Sequence, residues 1–185
     1  MTALPILNPT RSCGKCTACC TIMGVAALNK ERYSPCKHVC NQGCAIYADR
    51  PQECQLWQCA WKSGWIDGDE RRRPDNLGVM FEFRVLNGNS FLWVYEVRPN
   101  ALDDPKVQYL LSRLERKEIL VRCKYGSMAV HAAPATIEFL ARNGCGTSDV
   151  PLMPVSPLID TDGTVIGTVF TERVGEKFKM KVERP

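Results

Sequence analysis

No apolar run in the 185-residue chain approaches the roughly 18 residues that a membrane-spanning helix requires, so a helical membrane protein is not expected. The opening stretch to Arg11 has no Lys or Arg ahead of its short apolar segment and does not read as a secretory signal. No G-x-G-x-x-G or P-loop opens a helix after a strand, which leaves nucleotide and S-adenosylmethionine binding without a local fingerprint. H-E-x-x-H and G-x-S-x-G are also missing. So are internal repeats and low-complexity tracts. Charge of one sign is scarce. The net charge is +4, and neither the part before Asn76 nor the part after it is basic enough to argue for nucleic acid. With 45% hydrophobic and 24% charged residues, the composition is that of a globular protein rather than a disordered or fibrous one.

Cysteine is abundant instead. There are 11 cysteines, and nine of them fall between Cys13 and Cys59. Disulfide scaffolds are typically short secreted chains, whereas this one carries no signal and enough Val, Leu, Ile and Phe after residue 76 to build a core without staples. In a reducing, cytoplasmic setting such a cluster reads as metal ligands.

The texture of the chain changes near residue 76. Residues 13–60 hold the cysteine cluster, and 61–76 are polar, turn-rich and charged. The expected division is a metal-binding region over 1–76 and a second domain over 77–185. Arg71, Arg72 and Arg73 stand beside Asp67, Asp69 and Glu70, as in a self-neutralising solvated loop. From Gly78 to Leu86 and from Phe91 to Val97 the residues favour strands, and Asn87-Gly88 between them signals a hairpin. Asp104-Pro105 marks a helix start, with Val107, Leu110, Leu111 and Leu114 on one apolar face. A second hairpin is expected around Lys124-Tyr125-Gly126, and a short helix from Pro134 to Arg142, stopped by Asn143-Gly144. Pro-rich extended segments and strands over Val165–Phe170 and Phe178–Val182 complete an α+β fold: an irregular Cys-rich region packed on an antiparallel-sheet domain with two helices.

The cluster has two elements. Cys13-Gly-Lys-Cys16-Thr-Ala-Cys19-Cys20 takes two C-x2-C steps in a row, a spacing that lets neighbouring thiolates turn back on one centre. It resembles the ligand run of small ferredoxins more than paired zinc knuckles. Adjacent residues rarely address one ion, so Cys20 is expected to face a second centre or another edge of a cluster. The second element carries Cys36, Cys40, Cys44, Cys54 and Cys59, with Arg50-Pro51 opening a helix that holds Cys54 and ends before or at Cys59. Arg50 would set a cation beside the thiolates.

The run Cys13 to Cys20, then Cys36, Gly43-Cys44-Ala-Ile-Tyr47, Arg50-Pro51, Cys54 and Cys59, resembles the bacterial CxxCxxCC (YkgJ-like) zinc- or iron-chelating cysteine-cluster family. The likeness is confined to residues 13–59. It implies that Cys13, Cys16, Cys19, Cys20, Cys36, Cys44, Cys54 and Cys59 bind metal, with Tyr47, Arg50 and Pro51 in the tyrosine and Arg-Pro positions. Cys40 is extra to the pattern. The resemblance implies metal binding and no reaction, although one member is a flagellin lysine methylase. Eight thiolates suit two four-cysteine sites or one larger assembly. Iron–sulfur is favoured slightly over zinc, and either would supply folding energy to a segment poor in apolar residues.

The remaining candidates have plainer readings beside the functional ones. Cys123 in a strand is expected to be a buried apolar thiol. Cys145 lies between two glycines, and His38 lies within the cluster; each is a weaker ligand candidate. His131 is taken as structural. Trp57, Trp61 and Trp65 recur every four residues, as on a helix face packed on the second domain. Asp160-Thr-Asp162-Gly163 lacks the later oxygen ligands of a calcium loop and is expected to be a turn. Three classes follow. The first is a cytoplasmic metal-binding protein with a structural, sensing or metal-handling role, whose C-terminal domain offers a surface for a protein partner. The second is a metal-dependent group-transfer enzyme, for example a protein methylase. The third is a nucleic-acid-binding cysteine module, which the mild charge argues against.

Overall fold

The computed structural model describes residues 11–127, 129–145, 152–159, 165–174 and 177–184. The chain begins with helix α1 (Ala18–Ile22) and a two-stranded hairpin of β1 (Val39–Cys40) and β2 (Gly43–Cys44). Two short helices follow, α2 (Gln52–Leu56) and α3 (Pro74–Leu77). The remainder is built on strands β3 (Val79–Leu86), β4 (Asn89–Glu96), β5 (Ile119–Cys123), β6 (Val130–Ala132), β7 (Leu152–Ile159), β8 (Val165–Val174) and β9 (Lys177–Glu183). Helix α4 (Pro105–Leu114) joins β4 to β5, and α5 (Pro134–Arg142) joins β6 to β7.

Local chemistry accounts for most of these boundaries. Asn87 and Gly88 have φ of 47° and 78°, the left-handed pair that a two-residue hairpin loop requires, and Leu86 pairs directly with Asn89. At α4 the Asp104 carboxylate accepts a hydrogen bond from the Lys106 N–H at 2.9 Å, and Pro105 occupies a first-turn position where no N–H is needed.

The fold is α+β, as expected, and the strands run in sequence order from β3 to β9. Antiparallel pairing is not universal, however: β4 pairs β5 in parallel, with Phe91 opposite Ile119, and β6 pairs β7 in parallel, with Val130 opposite Leu152. The reason lies in the connections. A helix that crosses back over the sheet returns the chain in its original direction, and α4 and α5 each do so. The Pro-rich stretch at Pro154 and Pro157 is itself strand, in β7. The motif at Asp160–Gly163 and the Met128 end of the second expected hairpin lie outside the described residues.

Among the described residues, strands β3 and β4 are buried on both faces. Met80, Phe91, Trp93, Tyr95, Val121 and Cys123 lie in one core cluster, and Val79, Phe81, Leu92, Val94 and Leu120 in the other, following the two-residue alternation of strands. The first face is covered by Ala18 and Ile22 of α1 and Leu140 of α5. The second is covered by Val107 and Leu111 of α4, together with Ala60 and Ile66. Residues from both sides of Asn76 therefore contribute to both clusters. Burying such a large aliphatic or aromatic side chain stabilises the fold by about 1.5–3 kcal/mol, so the cysteine-rich region is held by ordinary packing where α1 meets the sheet.

Trp57 and Trp65 pack on the two core clusters of the sheet, but the three tryptophans do not share one helix face. Helix α2 ends at Leu56, and Trp57 is extended with φ −81° and ψ 135°. Turns follow, bonded Ser63 N–H to Cys59 carbonyl at 3.0 Å and Gly64 N–H to Trp61 carbonyl at 3.1 Å. Trp57 Nε1 donates to Glu82 at 2.9 Å, Trp61 Nε1 to the Asp69 carbonyl at 3.2 Å, and the Trp65 ring lies 5.5 Å from that of Phe83. The four-residue spacing is produced by turns that aim each indole at a separate place.

Candidate metal centre

The first cysteines sit in a tight turn. The Cys16 N–H donates to the Cys13 carbonyl at 3.0 Å, and Ser12 Oγ accepts from the Gly14 N–H at 3.2 Å. The turn leads into α1, which carries Cys19 and Cys20. Successive helical residues project about 100° apart, yet the Cys19 thiol reaches round to hydrogen-bond Cys20. Cys16, Cys19 and Cys59 pack against the core cluster that Ala18 and Ile22 enter. The Cys36 N–H donates to the Cys20 carbonyl at 3.1 Å, which ties the second element to the first. The β1–β2 hairpin presents Cys44. Gly43, at φ +115°, touches the first turn so closely that an added Cβ would stand 2.6 Å from the Gly14 carbonyl oxygen. Cys54 lies in α2, its N–H bonded to the Pro51 carbonyl at 2.9 Å. Cys59 follows the helix, and its sulfur accepts from the Lys62 N–H at 3.4 Å.

All eight cysteines, from Cys13 to Cys59, line one cavity of about 290 Å³. Cys40 does not line it; it is exposed on the hairpin. Neither does His38, whose carbonyl accepts from the Ala45 N–H. Cys123 is buried in the sheet core at 3% exposure, and Cys145 packs at the edge of the same cluster. No disulfide joins any of these cysteines. Among the described residues, no three Cys, His, Asp or Glu side chains are gathered tightly enough to hold a metal ion as they stand.

Cations surround the thiols. Lys30 lines the cavity, and its ammonium donates to the carbonyls of Met23 at 2.5 Å, Glu31 at 3.0 Å and Thr21 at 3.3 Å. Arg50 stacks on Tyr47, with its guanidinium carbon 3.8 Å from the ring centre. Tyr47 Oη in turn lies 3.9 Å from Cys13 Sγ. Among the described residues, the buried Arg50 Nε has no hydrogen-bond partner. Arg73 is buried at 5% exposure, bonded to Asp75 at 2.7 Å and 3.3 Å from Glu70, and it too lines the cavity. Sequence reasoning found Arg50 and missed the other two. Arg73 is hidden in a run of three arginines, and the three carbonyls that fix Lys30 leave no local signature.

The thiols differ in acidity. Burial pushes Cys16 up to about 12, and it also raises Cys44, Cys54 and Cys59. Cys19 is raised mainly because its thiol donates to Cys20, and burial adds to this. Cys20 is held down to about 7, first by that hydrogen bond and then, against burial, by the charges of Lys30 and Arg50. Gathering several thiolates here therefore requires positive charge, which a metal ion would supply. A wall of eight soft sulfur donors, with an unpartnered guanidinium nitrogen on it, suits such an anionic metal–thiolate group.

The arrangement defines a cysteine-lined cavity that reaches the mixed sheet at Met80. No family model, no curated protein and no solved structure matches the chain.

Proposed function

We propose that the protein is a cytoplasmic metal-binding protein of the CxxCxxCC type. It holds an iron–sulfur or zinc centre on Cys13, Cys16, Cys19, Cys20, Cys36, Cys44, Cys54 and Cys59, and it serves in structural support, sensing or metal handling. The observation that carries this reading is the convergence of those eight cysteines, and neither Cys40 nor Cys123, on a single cavity. Soft thiolates select zinc and iron–sulfur over magnesium or calcium. The bound group would supply either a redox couple or a structural cross-link. The residues of the chain provide the rest: Arg50, Lys30 and Arg73 offset thiolate charge, and Trp57 and Met80 close the cavity with apolar surface. Eleven unbridged thiols suit a reducing compartment. Among the described residues no helix is long and apolar enough to cross a membrane.

Anaerobic purification followed by absorption spectroscopy and counts of iron, zinc and acid-labile sulfide per chain tests the reading. A brown protein with sulfide identifies iron–sulfur, and a colourless one with zinc identifies zinc. In both cases Cys13→Ser and Cys54→Ser should lower the metal content. Metal-free protein, or metal content unchanged in both variants, would sink the proposal.

A further inference from the structure

The wall of the cavity is anchored unevenly. Cys13 to Cys20 lead into or lie on α1, whose Ala18 and Ile22 enter the sheet core, and Cys59 packs against the same core. Residues 37–56, which carry Cys44 and Cys54, are held differently. Gly43, which has no side chain, is the only buried residue among them, while Val39, Tyr47 and Leu56 are exposed. Their backbone bonds stay within the segment or reach its immediate ends: Ala45 N–H to the His38 carbonyl at 2.9 Å, Asp49 N–H to the Ile46 carbonyl at 3.0 Å, Val39 N–H to the Cys36 carbonyl at 3.1 Å and Trp57 N–H to the Glu53 carbonyl at 3.2 Å. Among the described residues, the hydrogen bonds that join the segment's side chains to more distant parts of the chain end on cavity sulfurs. Tyr47 Oη meets Cys13 Sγ at 3.9 Å, and Cys44 meets Cys20.

Both ends, in contrast, are fixed. The Cys36 N–H is bonded to the Cys20 carbonyl at 3.1 Å, and Trp57 Nε1 is bonded to Glu82 of β3 at 2.9 Å. Between them the segment lacks the means to keep its own shape. A lone two-stranded hairpin is marginal in water, and the five residues of α2 are too few for an isolated helix.

From this anchoring, and resting on the metal-binding reading above, we infer that residues 37–56 are a hinged flap over the cavity, clasped shut when metal joins Cys44 and Cys54 to the cysteines of the frame and free to open when it does not. Opening melts the flap as one unit, as local unfolding does where few apolar contacts are lost, and leaves β3, β4 and β5 folded. Arg50, stacked on Tyr47 within the flap, leaves the thiols with it. The open cavity bares Trp57 and Met80, so the loaded and unloaded chains present different surfaces. The flap is then both the entry for metal and the part of the chain that reports loading, which favours sensing or metal handling over inert support.

Hydrogen–deuterium exchange, read peptide by peptide on the full reduced chain, tests this. The protein is loaded with zinc, or reconstituted with ferrous iron and sulfide, and compared with the same protein after chelation, with metal per chain counted on each sample. Chelation should speed exchange across 37–56 by about tenfold or more and leave β3–β5 unchanged. Cys44→Ser/Cys54→Ser should exchange across 37–56 at the chelated rate even with metal present, again with the sheet unchanged. Loss of protection in flap and sheet together, in the chelated protein or in the variant, would overturn the flap. So would bound metal that fails to slow 37–56 in the wild type, or a variant whose flap still closes on metal. In each of these cases the metal-binding reading stands on the metal count of the wild type. A wild type that takes up neither zinc nor iron ends both.

Discussion

The contact between the β1–β2 hairpin and the first cysteine turn can be tested with two glycines that share one backbone angle. Gly43 and Gly68 both have φ +115°, so replacing either by alanine imposes a similar conformational strain of about 1–3 kcal/mol. What the new methyl group meets differs. At Gly68 it stands 2.6 Å from Cδ of Arg72, the far part of a flexible side chain that can swing aside for the loss of one exposed bond to the Asp67 carbonyl. At Gly43 it stands 2.6 Å from the Gly14 carbonyl oxygen and 3.5 Å from Lys15 Cα, which are backbone atoms and cannot move without the whole turn. Forced overpacking costs a further 1–3 kcal/mol or so. For a chain of this length that corresponds to roughly 2–12 °C of melting temperature. Gly43→Ala should therefore melt lower than Gly68→Ala by that margin under identical conditions. It should also make the cavity thiols react faster with a disulfide reagent, because the displaced hairpin carries Cys44 away from Cys20. Coincident melts and equal thiol reactivity would show that the hairpin does not lean on the turn as described.

Other consequences are equally specific. Burial, with Lys124 and Arg122 nearby and opposed by Glu183, lowers the His131 pKa to about 4. The unfolded chain, titrating near 6.5, therefore binds that proton first, and stability is lost as pH falls from about 6.5 towards 4, by up to about 3 kcal/mol; urea melts at pH 7 and pH 4.5 should show a loss that His131→Gln reduces. Glu82 accepts from Trp57, Tyr95 and Arg84 at 2.8–2.9 Å, so Glu82→Ala, which strands those donors, should cost roughly 2–4 kcal/mol in a denaturant melt against about 1 for Tyr95→Phe; equal costs would contradict the shared acceptor. Arg71 is paired with Asp69 in solvent whereas Arg73 is buried on Asp75, so Arg71→Ala should leave the melting temperature within about a degree or two, and Arg73→Ala should lower it by several.

The parts of the fold written in a few adjacent residues were readable in advance: the Asn87-Gly88 loop, the Asp104-Pro105 helix start and the Asn143-Gly144 stop each depend on local backbone chemistry. The parallel neighbours were not, because strand direction follows from how α4 and α5 pack back on the sheet. The tryptophan spacing misled for a related reason, since a period of four residues describes turns as well as a helix until the backbone is known. In the cavity, the eight lining cysteines are those that the resemblance to the cysteine-cluster family picks out, with Cys40 set apart. How the chain closes that cavity was not legible, because it depends on a hairpin laid against a distant turn. The position of Lys30 was hidden for the same kind of reason, being set by the carbonyls of Thr21, Met23 and Glu31.

The sandwiching of the sheet bears on how the chain can be divided in the laboratory. Strand β4 is covered on one side by α4 and on the other by the helix that leads out of the first cysteine turn. A fragment beginning at Leu77 would uncover Met80, Trp93 and Tyr95 as a contiguous oily surface, and such a surface drives association in water. The cysteine-rich segment is a wall of the building as well as its safe, so a truncation meant to isolate the C-terminal part should yield insoluble protein rather than a simpler one.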